Sequence, residues 1–272
     1  MKDSTSIKVM TMDFMHIIYE EDAEKKIAKI IINNPPLNVL KSEVLRELYD
    51  AVNYASKSNS IRAVIIRGSG EKAFSVGADL KEFAEYGVHE AKEAALLGHK
   101  VMNAIMNSPK PFIAAVNGYA LGGGLELALA CDIIIASENA KFGSPEVTLG
   151  IIPGWGATQR IPKIIGEKKA KELLLTGSMI SAEEAMKLGI INKIVKPDEL
   201  DKAAEEIALK IVKNAPLALA AVKRLVNKSF EVSFEAGILY EVEAFSNCFA
   251  TEDKAEGIKA FFEKREPRYM GR

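Results

Sequence analysis

The chain has 272 residues, 48% of them hydrophobic, and its 36 Lys and Arg side chains nearly balance its 37 Asp and Glu side chains. A chain of this length can bury about three-quarters of the surface that it exposes when unfolded, so it can form one large domain. The formal net charge of −1 lacks the basic surplus that is typical of nucleic-acid-binding domains. No apolar run reaches the ~18 residues that a membrane-spanning helix needs.

Cysteine and histidine are sparse. The two cysteines, Cys131 and Cys248, lie in apolar helical patterns that are typical of buried, unreactive thiols. Three histidines are scattered along the chain, at His16, His89 and His99. Because they lack partners at ligand spacing, the sequence predicts no metal site. The N-terminus is acidic, has no arginine before Arg46 and lacks a signal-peptide core, so we expect a cytoplasmic protein.

Predicted strands and helices alternate over the first two-thirds of the chain. Residues 16–20 and 25–32 predict a strand pair, and residues 42–56 predict an amphipathic helix. The series continues with a strand over 62–67, a helix over 91–106, strands over 112–116 and 132–136, and a glycine-led helix between those two strands. Such alternation indicates an α/β fold with parallel strand pairing.

The C-terminal part is predicted to be mostly helical. One short strand, over 191–195, interrupts helices predicted over 168–175, 182–188, 199–213, 217–229, 234–248 and 251–263. No sharp linker separates the two parts. We therefore predict a tail over residues 1–15, an α/β core over residues 16–196 and a helical appendage over residues 197–272.

The most informative segment is the glycine-rich start of a predicted helix, residues 120–126 (ALGGGLE). The first N–H groups of a helix have no partner within the helix and lie at its positive end, and glycine lets a ligand oxygen approach them. Glu126 lies three residues after Gly123, on the same helix face. This pairing indicates an enzyme that handles a developing oxyanion beside an acid or base, although such glycines also serve plain tight turns.

A second donor and a second carboxylate complete the predicted site. Gly77-Ala78 follows another strand, so the N–H groups of Ala78 and Gly123 could polarise one carbonyl together. Glu126 and Glu146 could supply a base and an acid for the addition of water. Each glutamate taken alone is more often structural. In the loop after Glu146, Trp155 either lines an acyl pocket or only packs.

Six segments together resemble the crotonase superfamily, the enoyl-CoA hydratase/isomerase group, and within it the short-chain enoyl-CoA hydratases. In register over about residues 16–268, they are 73–80 (AFSVGADL), 117–126 (NGYALGGGLE), 142–146 (FGSPE), 153–160 (PGWGATQR), 249–253 (FATED) and 261–265 (FFEKR). The resemblance implies a spiral of β-β-α units with a C-terminal helical trimerisation region, assembled as a trimer or a dimer of trimers. It also implies an acyl-CoA thioester substrate, with CoA as part of that substrate and no separate cofactor.

The resemblance further implies roles for four positions. The backbone N–H groups of Ala78 and Gly123 hold the thioester oxygen in such enzymes. Glu126 then matches the base that activates water for attack at C3, and Glu146 matches the acid that gives a proton to C2.

Other matching positions are implied to contact the substrate or its CoA portion. They are Val76, Asp79, Leu80, Lys81, Gly122, Gly154, Trp155, Phe245 and Lys264. Lys81 and Lys264 match basic positions near the CoA phosphates, with Lys264 a candidate to act from a neighbouring subunit. Phe245 matches a pocket wall, and Gly154 matches a position near the catalytic water.

Three alternatives remain open. Related isomerases and thioester hydrolases share the oxyanion donors but usually change one glutamate position, so the presence of both Glu126 and Glu146 favours a hydratase. Some relatives bind RNA through a lysine-rich helix, but the matching residues 43–57 mix acidic and basic side chains, which predicts no RNA binding. The two carboxylates also disfavour a non-catalytic assembly protein. No segment indicates the acyl chain length.

Overall fold

A computed structural model describes residues 14–272. Residues 1–13 of the predicted tail lie outside the described residues. The strands are β1 (Ile17–Asp22), β2 (Ile27–Ile32), β3 (Ala63–Gly68), β4 (Ala73–Ser75), β5 (Phe112–Val116), β6 (Tyr119–Leu121), β7 (Ile133–Ser137), β8 (Lys141–Gly143), β9 (Met179–Ser181) and β10 (Lys193–Val195). The α-helices are α1 (Ser42–Lys57), α2 (Leu80–Ala84), α3 (Val88–Asn107), α4 (Gly123–Ala130), α5 (Ala157–Ile165), α6 (Glu167–Thr176), α7 (Ala182–Lys187), α8 (Leu200–Val212), α9 (Pro216–Lys228), α10 (Phe234–Cys248) and α11 (Glu252–Phe262).

The larger sheet has six strands in the order β1-β2-β3-β5-β7-β10. β1 is antiparallel to β2, and every other neighbouring pair is parallel. Successive residues of β3 are buried on opposite faces: Val64 and Ile66 join the core beneath α1 and α3, whereas Ala63 and Ile65 pack with α8. Because helices cover both faces, this strand reads as an unbroken apolar run.

The smaller sheet has the order β4-β6-β8-β9, in which β4, β6 and β8 are parallel and β9 is antiparallel to β8. The parallel strands lead at their carboxyl ends to Gly77-Ala78, Gly122-Gly123 and Glu146. Carboxyl ends of parallel strands meet at one edge of a sheet, so this sheet collects all the predicted catalytic positions.

Three successive units place one strand in each sheet and then a helix. They are β3-β4 with α2 and α3, β5-β6 with α4, and β7-β8 with α5. The predicted spiral of β-β-α units is confirmed. The sequence does not predict β4, β6 and β9, because three residues are too few to show the period of two that marks a strand.

The helices after β10 differ in how they contact the core. α8 packs on the larger sheet through Leu200, Ala204 and Ala208 and so completes the second core. α9 is fixed by Lys223, a buried side chain that donates to the Ile105 and Lys110 carbonyls at 2.8 and 2.9 Å. The domain boundary after residue 196 stays a prediction. Within residues 14–272, no helix is both long and apolar enough to cross a membrane.

Candidate active site

The glycine-rich segment forms a sharp entry into α4. Gly122 is the N-cap, with φ +53°, a left-handed value that favours glycine, and its N–H donates to the Gly143 carbonyl at 2.9 Å. Gly123 is the first residue of the helix, so its N–H has no intrahelical acceptor. Among residues 14–272, no acceptor for the Gly123 N–H is found. The Gly123 N–H is therefore free to donate to a bound molecule.

A second amide donor lies beside it, after β4. A Cβ added to Gly77 would lie 2.7 Å from the Gly123 nitrogen, so the two segments touch and only glycine fits at residue 77. The backbone of Ala78 forms a bridge with Leu40, whose N–H donates to the Gly77 carbonyl at 2.8 Å. Over the described residues, the Ala78 N–H also has no acceptor. The two free donors predicted from the sequence thus belong to adjoining backbone segments.

Glu126 is almost fully buried, with 1% of its surface exposed. One carboxyl oxygen, Oε1, accepts hydrogen bonds from the N–H groups of Trp155 and Ala157, both at 2.8 Å. These donors come from the turn that opens α5. Because both bonds go to one oxygen, Oε2 keeps its acceptor capacity for another molecule.

Burial raises the pKa of Glu126 to about 7, because the charged form loses its hydration. The two backbone N–H groups and the positive charge of Arg160 oppose this shift in pKa, whereas the negative charge of Glu146 adds to it. A carboxyl group with a pKa near neutral can both take and release a proton at physiological pH.

Glu146 lies on a 3-10 helix, Pro145–Leu149, that directly follows β8. Its Oε1 is close enough to α4 that a Cβ on Gly122 would lie 3.0 Å from it. Its Oε2 is buried, and no hydrogen-bond partner is found for it among residues 14–272. Burial raises the pKa of Glu146 as well. A buried carboxyl oxygen without a partner is costly unless a bound molecule supplies the hydrogen bond, so it marks a binding position.

Trp155 packs in the core. Its indole is 4% exposed and lies between α3 and α4, where a Cβ on Gly98 or Gly123 would fall 2.2 or 2.1 Å from the ring. The ring Nε1 donates to the Ala94 carbonyl at 3.3 Å. Of the two interpretations of Trp155, the structure favours packing directly behind the Gly123 amide.

The remaining predicted substrate-binding positions of the α/β part lie around the start of α2 and in the turn before α5. Asp79 caps α2 by accepting from the Lys81 N–H at 2.9 Å, and the side chains of Leu80 and Lys81 are exposed. Val76 donates its N–H to the Leu37 carbonyl. Gly154 has open space where a Cβ would be.

Two predicted positions lie apart from these residues. Phe245 is 65% exposed on α10 and packs on Phe249, with ring centroids 5.0 Å apart. Lys264 follows α11 and is exposed. Within the described part of the chain, no hydrogen bond, ion pair or ring contact joins either residue to Glu126 or Glu146. Their substrate contacts stay predictions.

Sequence reasoning missed the supports of the site. Three such supports are the Ala157 N–H, which donates to Glu126, the Arg160 guanidinium, which donates to the Trp155 carbonyl, and Gly98, which leaves space for the Trp155 indole. Gly98 left a signal, since a glycine within a helix is unfavourable and indicates close packing. Among residues 14–272, no group of three His, Cys, Asp or Glu side chains is arranged to hold a metal ion.

The chain is similar to known proteins over most of its length. A family model described as enoyl-CoA hydratase/isomerase matches residues 22–272. The chain belongs to this family. It is 44% identical over 255 residues to the short-chain-enoyl-CoA hydratase of Clostridium acetobutylicum, covering 93% of this chain and 97% of the relative. It is 43% identical to the crotonyl-CoA hydratase of Syntrophomonas wolfei, over 96% of this chain and all of the relative.

Solved structures of the family share the fold. The crystal structure of enoyl-CoA hydratase from Bacillus anthracis superposes on the present chain with a TM-score of 0.91 at 40% identity. The match covers 95% of this chain and 100% of the crystallised one. The crotonase-like architecture expected from the sequence is therefore confirmed over nearly the whole chain.

Proposed function

We propose that this chain is an enoyl-CoA hydratase, which adds water reversibly across the C2–C3 double bond of a trans-2-enoyl-CoA to give a 3-hydroxyacyl-CoA. The observation that carries the proposal is a pair of glutamates beside two free backbone N–H groups: Glu126 is buried, and Glu146 is half-buried with its Oε2 out of contact with water. The hydratases named among its relatives support the same reaction.

The two amides act on the thioester. The N–H groups of Ala78 and Gly123 donate to the carbonyl oxygen of the bound substrate. When water attacks C3, electrons move onto this oxygen as an enolate, and the preorganised donors stabilise the developing charge. Removal of one such donor typically costs about 10²–10³ in rate.

The two carboxyl groups move the protons of the added water. Ionised Glu126 takes a proton from the water as its oxygen bonds to C3, and neutral Glu146 gives a proton to C2 as the enolate collapses. Proton exchange with solvent then restores both groups. Because the charge of Glu146 acts on Glu126, the pair titrates together, and the pH dependence belongs to both groups.

The CoA phosphates are held by the basic positions Lys81 and Lys264. Lys81 lies exposed at the start of α2, one turn beyond the Ala78 amide, and its ammonium group suits a phosphate of CoA. In this mechanism CoA belongs to the substrate and no separate cofactor takes part. A cytoplasmic location remains a prediction from the sequence.

We also propose that α10 and α11 form contacts between copies of the chain, as a trimer or a dimer of trimers. Large apolar side chains on these helices are mostly exposed in the single chain, among them Phe234 at 79%, Leu239 at 71% and Phe261 at 79%. A set of such side chains is typical of an interface between subunits.

Sedimentation should give a trimeric or hexameric mass, and Leu239→Glu should lower that mass. Leu175→Glu on α6 is the matched control and should leave the mass unchanged. A monomeric wild type would contradict this assembly.

The direct test of the reaction uses crotonyl-CoA. The purified protein should remove the absorbance of the conjugated double bond and produce 3-hydroxybutyryl-CoA, identified by mass. Glu126→Gln should lose nearly all of this activity, because an amide cannot take the proton. Unchanged turnover in that variant would remove the assigned base. A product with a moved double bond or free CoA would instead indicate an isomerase or a hydrolase.

A further inference from the structure

Arg160 lies one helical turn into α5 and reaches back over the turn that holds Glu126. Its Nη1 donates to the Trp155 carbonyl at 2.8 Å. A Cβ on Gly156, where φ is +115°, would lie 2.2 Å from the same nitrogen, so the guanidinium fills the space beside that glycine. The peptide groups that Arg160 contacts belong to the same three-residue turn that donates twice to Glu126.

The position of Arg160 is unfavourable by local rules. A cation near the positive end of a helix is destabilising, and its guanidinium is largely removed from water, which lowers the pKa of Arg160. Within residues 14–272, its Nε and Nη2 donate to the sulfur of Met106 alone, at 3.3 and 3.0 Å, and thioether sulfur is a weak acceptor. No carboxylate within residues 14–272 forms an ion pair with it. Conflicts of this kind are expected where a residue serves function.

We propose that Arg160 is a positioning residue for the hydration reaction: it holds the Trp155–Ala157 turn against Glu126 and supplies the positive charge that favours the ionised base. This inference rests on the proposed function. Arg160 does not touch substrate; it acts through two backbone N–H groups and through the electric field at the carboxylate.

The charged and titratable groups around this pair define what a pH experiment would read. Glu126 faces Glu146 from the 3-10 helix and Arg160 from α5. Arg160 in turn faces His99 from α3 and Cys131 at the end of α4. Burial and the Arg160 charge lower the pKa of His99, and burial raises the pKa of Cys131, so both are neutral near pH 7. The acid limb of the profile therefore includes the two glutamates, and His99 takes up its proton only below its ordinary pKa.

The experiment compares Arg160→Met and Arg160→Lys with wild type. Arg160→Met should lower kcat by about 10–100-fold with little change in KM, since a misplaced base slows chemistry more than binding. It should also move the acid limb of kcat/KM to higher pH. Arg160→Lys keeps the positive charge, so the acid limb of kcat/KM should return towards its wild-type position. Its single ammonium group cannot replace all the contacts of the guanidinium, so kcat should stay below the wild-type value.

Arg62→Met is the matched control. The Arg62 guanidinium also donates to backbone carbonyls, those of Val212 and Tyr269, far along the chain from Glu126. Its loss should lower the melting temperature without moving the acid limb. Wild-type kcat or an unmoved limb in Arg160→Met, or wild-type kcat in Arg160→Lys, would overturn the proposal.

A substrate-free measurement separates this proposal from the proposed function. The melting temperatures of wild type and Glu126→Gln are measured from pH 5 to 9, and the difference between them is compared with the same difference in the Arg160→Met background. If Arg160 favours the ionised base, removal of its charge should enlarge this difference above pH 7. Equal differences in the two backgrounds would refute the electrostatic role, whatever reaction the enzyme catalyses.

Discussion

At the scale of single residues, the site depends on carboxyl groups that the fold holds out of water. Two N–H groups at 2.8 Å compensate one oxygen of Glu126, but they do not cancel the cost of burial, and the pKa of Glu126 stays near 7. Burial also raises the pKa of Glu146, and its Oε2 has no hydrogen-bond partner within the described residues. The number of protons bound at the site therefore changes near neutral pH.

The pH dependence of hydration follows from this. The base must be ionised, so kcat/KM should fall towards acid pH as the coupled pair of Glu126 and Glu146 takes up a proton. It should also fall at high pH, when Glu146 can no longer supply a proton. Steady-state rates with crotonyl-CoA between pH 5 and 10 measure both limbs. A profile with no acid limb between pH 5 and 10 would contradict the assignment of Glu126.

The same pKa predicts how stability changes with pH. Between pH 4.5 and 7 native Glu126 keeps a proton that the unfolded chain has released, so wild-type stability falls as pH rises through this window, by roughly 3 kcal/mol. Glu126→Gln removes the loss. Thermal unfolding should show it more stable than wild type above pH 7 and nearly equal at pH 4.5.

A control with the opposite sign is Glu256→Gln. Arg265 lowers the pKa of Glu256 to about 2, so this carboxylate stabilises the fold above pH 4.5, and its contribution is lost as pH falls towards 2. The variant should be less stable than wild type at pH 7, with a difference that shrinks in acid. Parallel pH curves for the two variants would refute both assignments.

At the scale of elements, the larger sheet and most helices could be predicted from the sequence, but the smaller sheet could not. The predictions for residues 112–116 and 234–248 have the bounds of β5 and α10, since the first is an unbroken apolar run and the second is long enough to show the helical period. β4 and β6 are three residues long and are defined by pairing with distant strands. The two glutamates could be predicted because each follows a recognisable motif in the sequence. The support from Arg160 was not, because it depends on a turn that folds back on its own helix.

The contact between α3 and α4 is tested by Gly98→Ala. A methyl group there would lie 2.2 Å from the indole of Trp155, and overpacking of this kind costs about 1–3 kcal/mol. Gly237→Ala on α10 is the matched control, since its nearest neighbour is 3.9 Å away and the helix should gain about 0.5–1 kcal/mol. Chemical denaturation measures both. A stabilised Gly98→Ala would show that Trp155 is not tightly held.

At the scale of the whole molecule, the C-terminal helices are fastened to the core at a buried charge. Lys223 of α9 pairs with Asp132 at 2.8 Å, and Asp132 accepts from the Phe112 N–H at 2.7 Å, so one chain of contacts links α9 to β5. α10 packs on α9. The orientation of the proposed subunit interface therefore depends in part on this attachment.

Lys223→Met tests the attachment. It leaves Asp132 without its partner charge in a largely buried place, which typically costs about 3–5 kcal/mol. Denaturation should show this loss, and the oligomer should dissociate at higher protein concentration than wild type. Lys223→Met combined with Asp132→Asn should recover part of the stability, because the orphan charge is gone. If the double variant is no better than the single one, the pair is not the attachment.

The indole behind Gly123 also makes the molecule its own optical sensor. The chain has one tryptophan, Trp155, so its ultraviolet emission comes from a single place, in contact with an amide that is proposed to grip the substrate. Occupancy of the site should alter the colour or yield of that emission. Affinity for acyl-CoA compounds of different length could then be titrated without a label and without turnover.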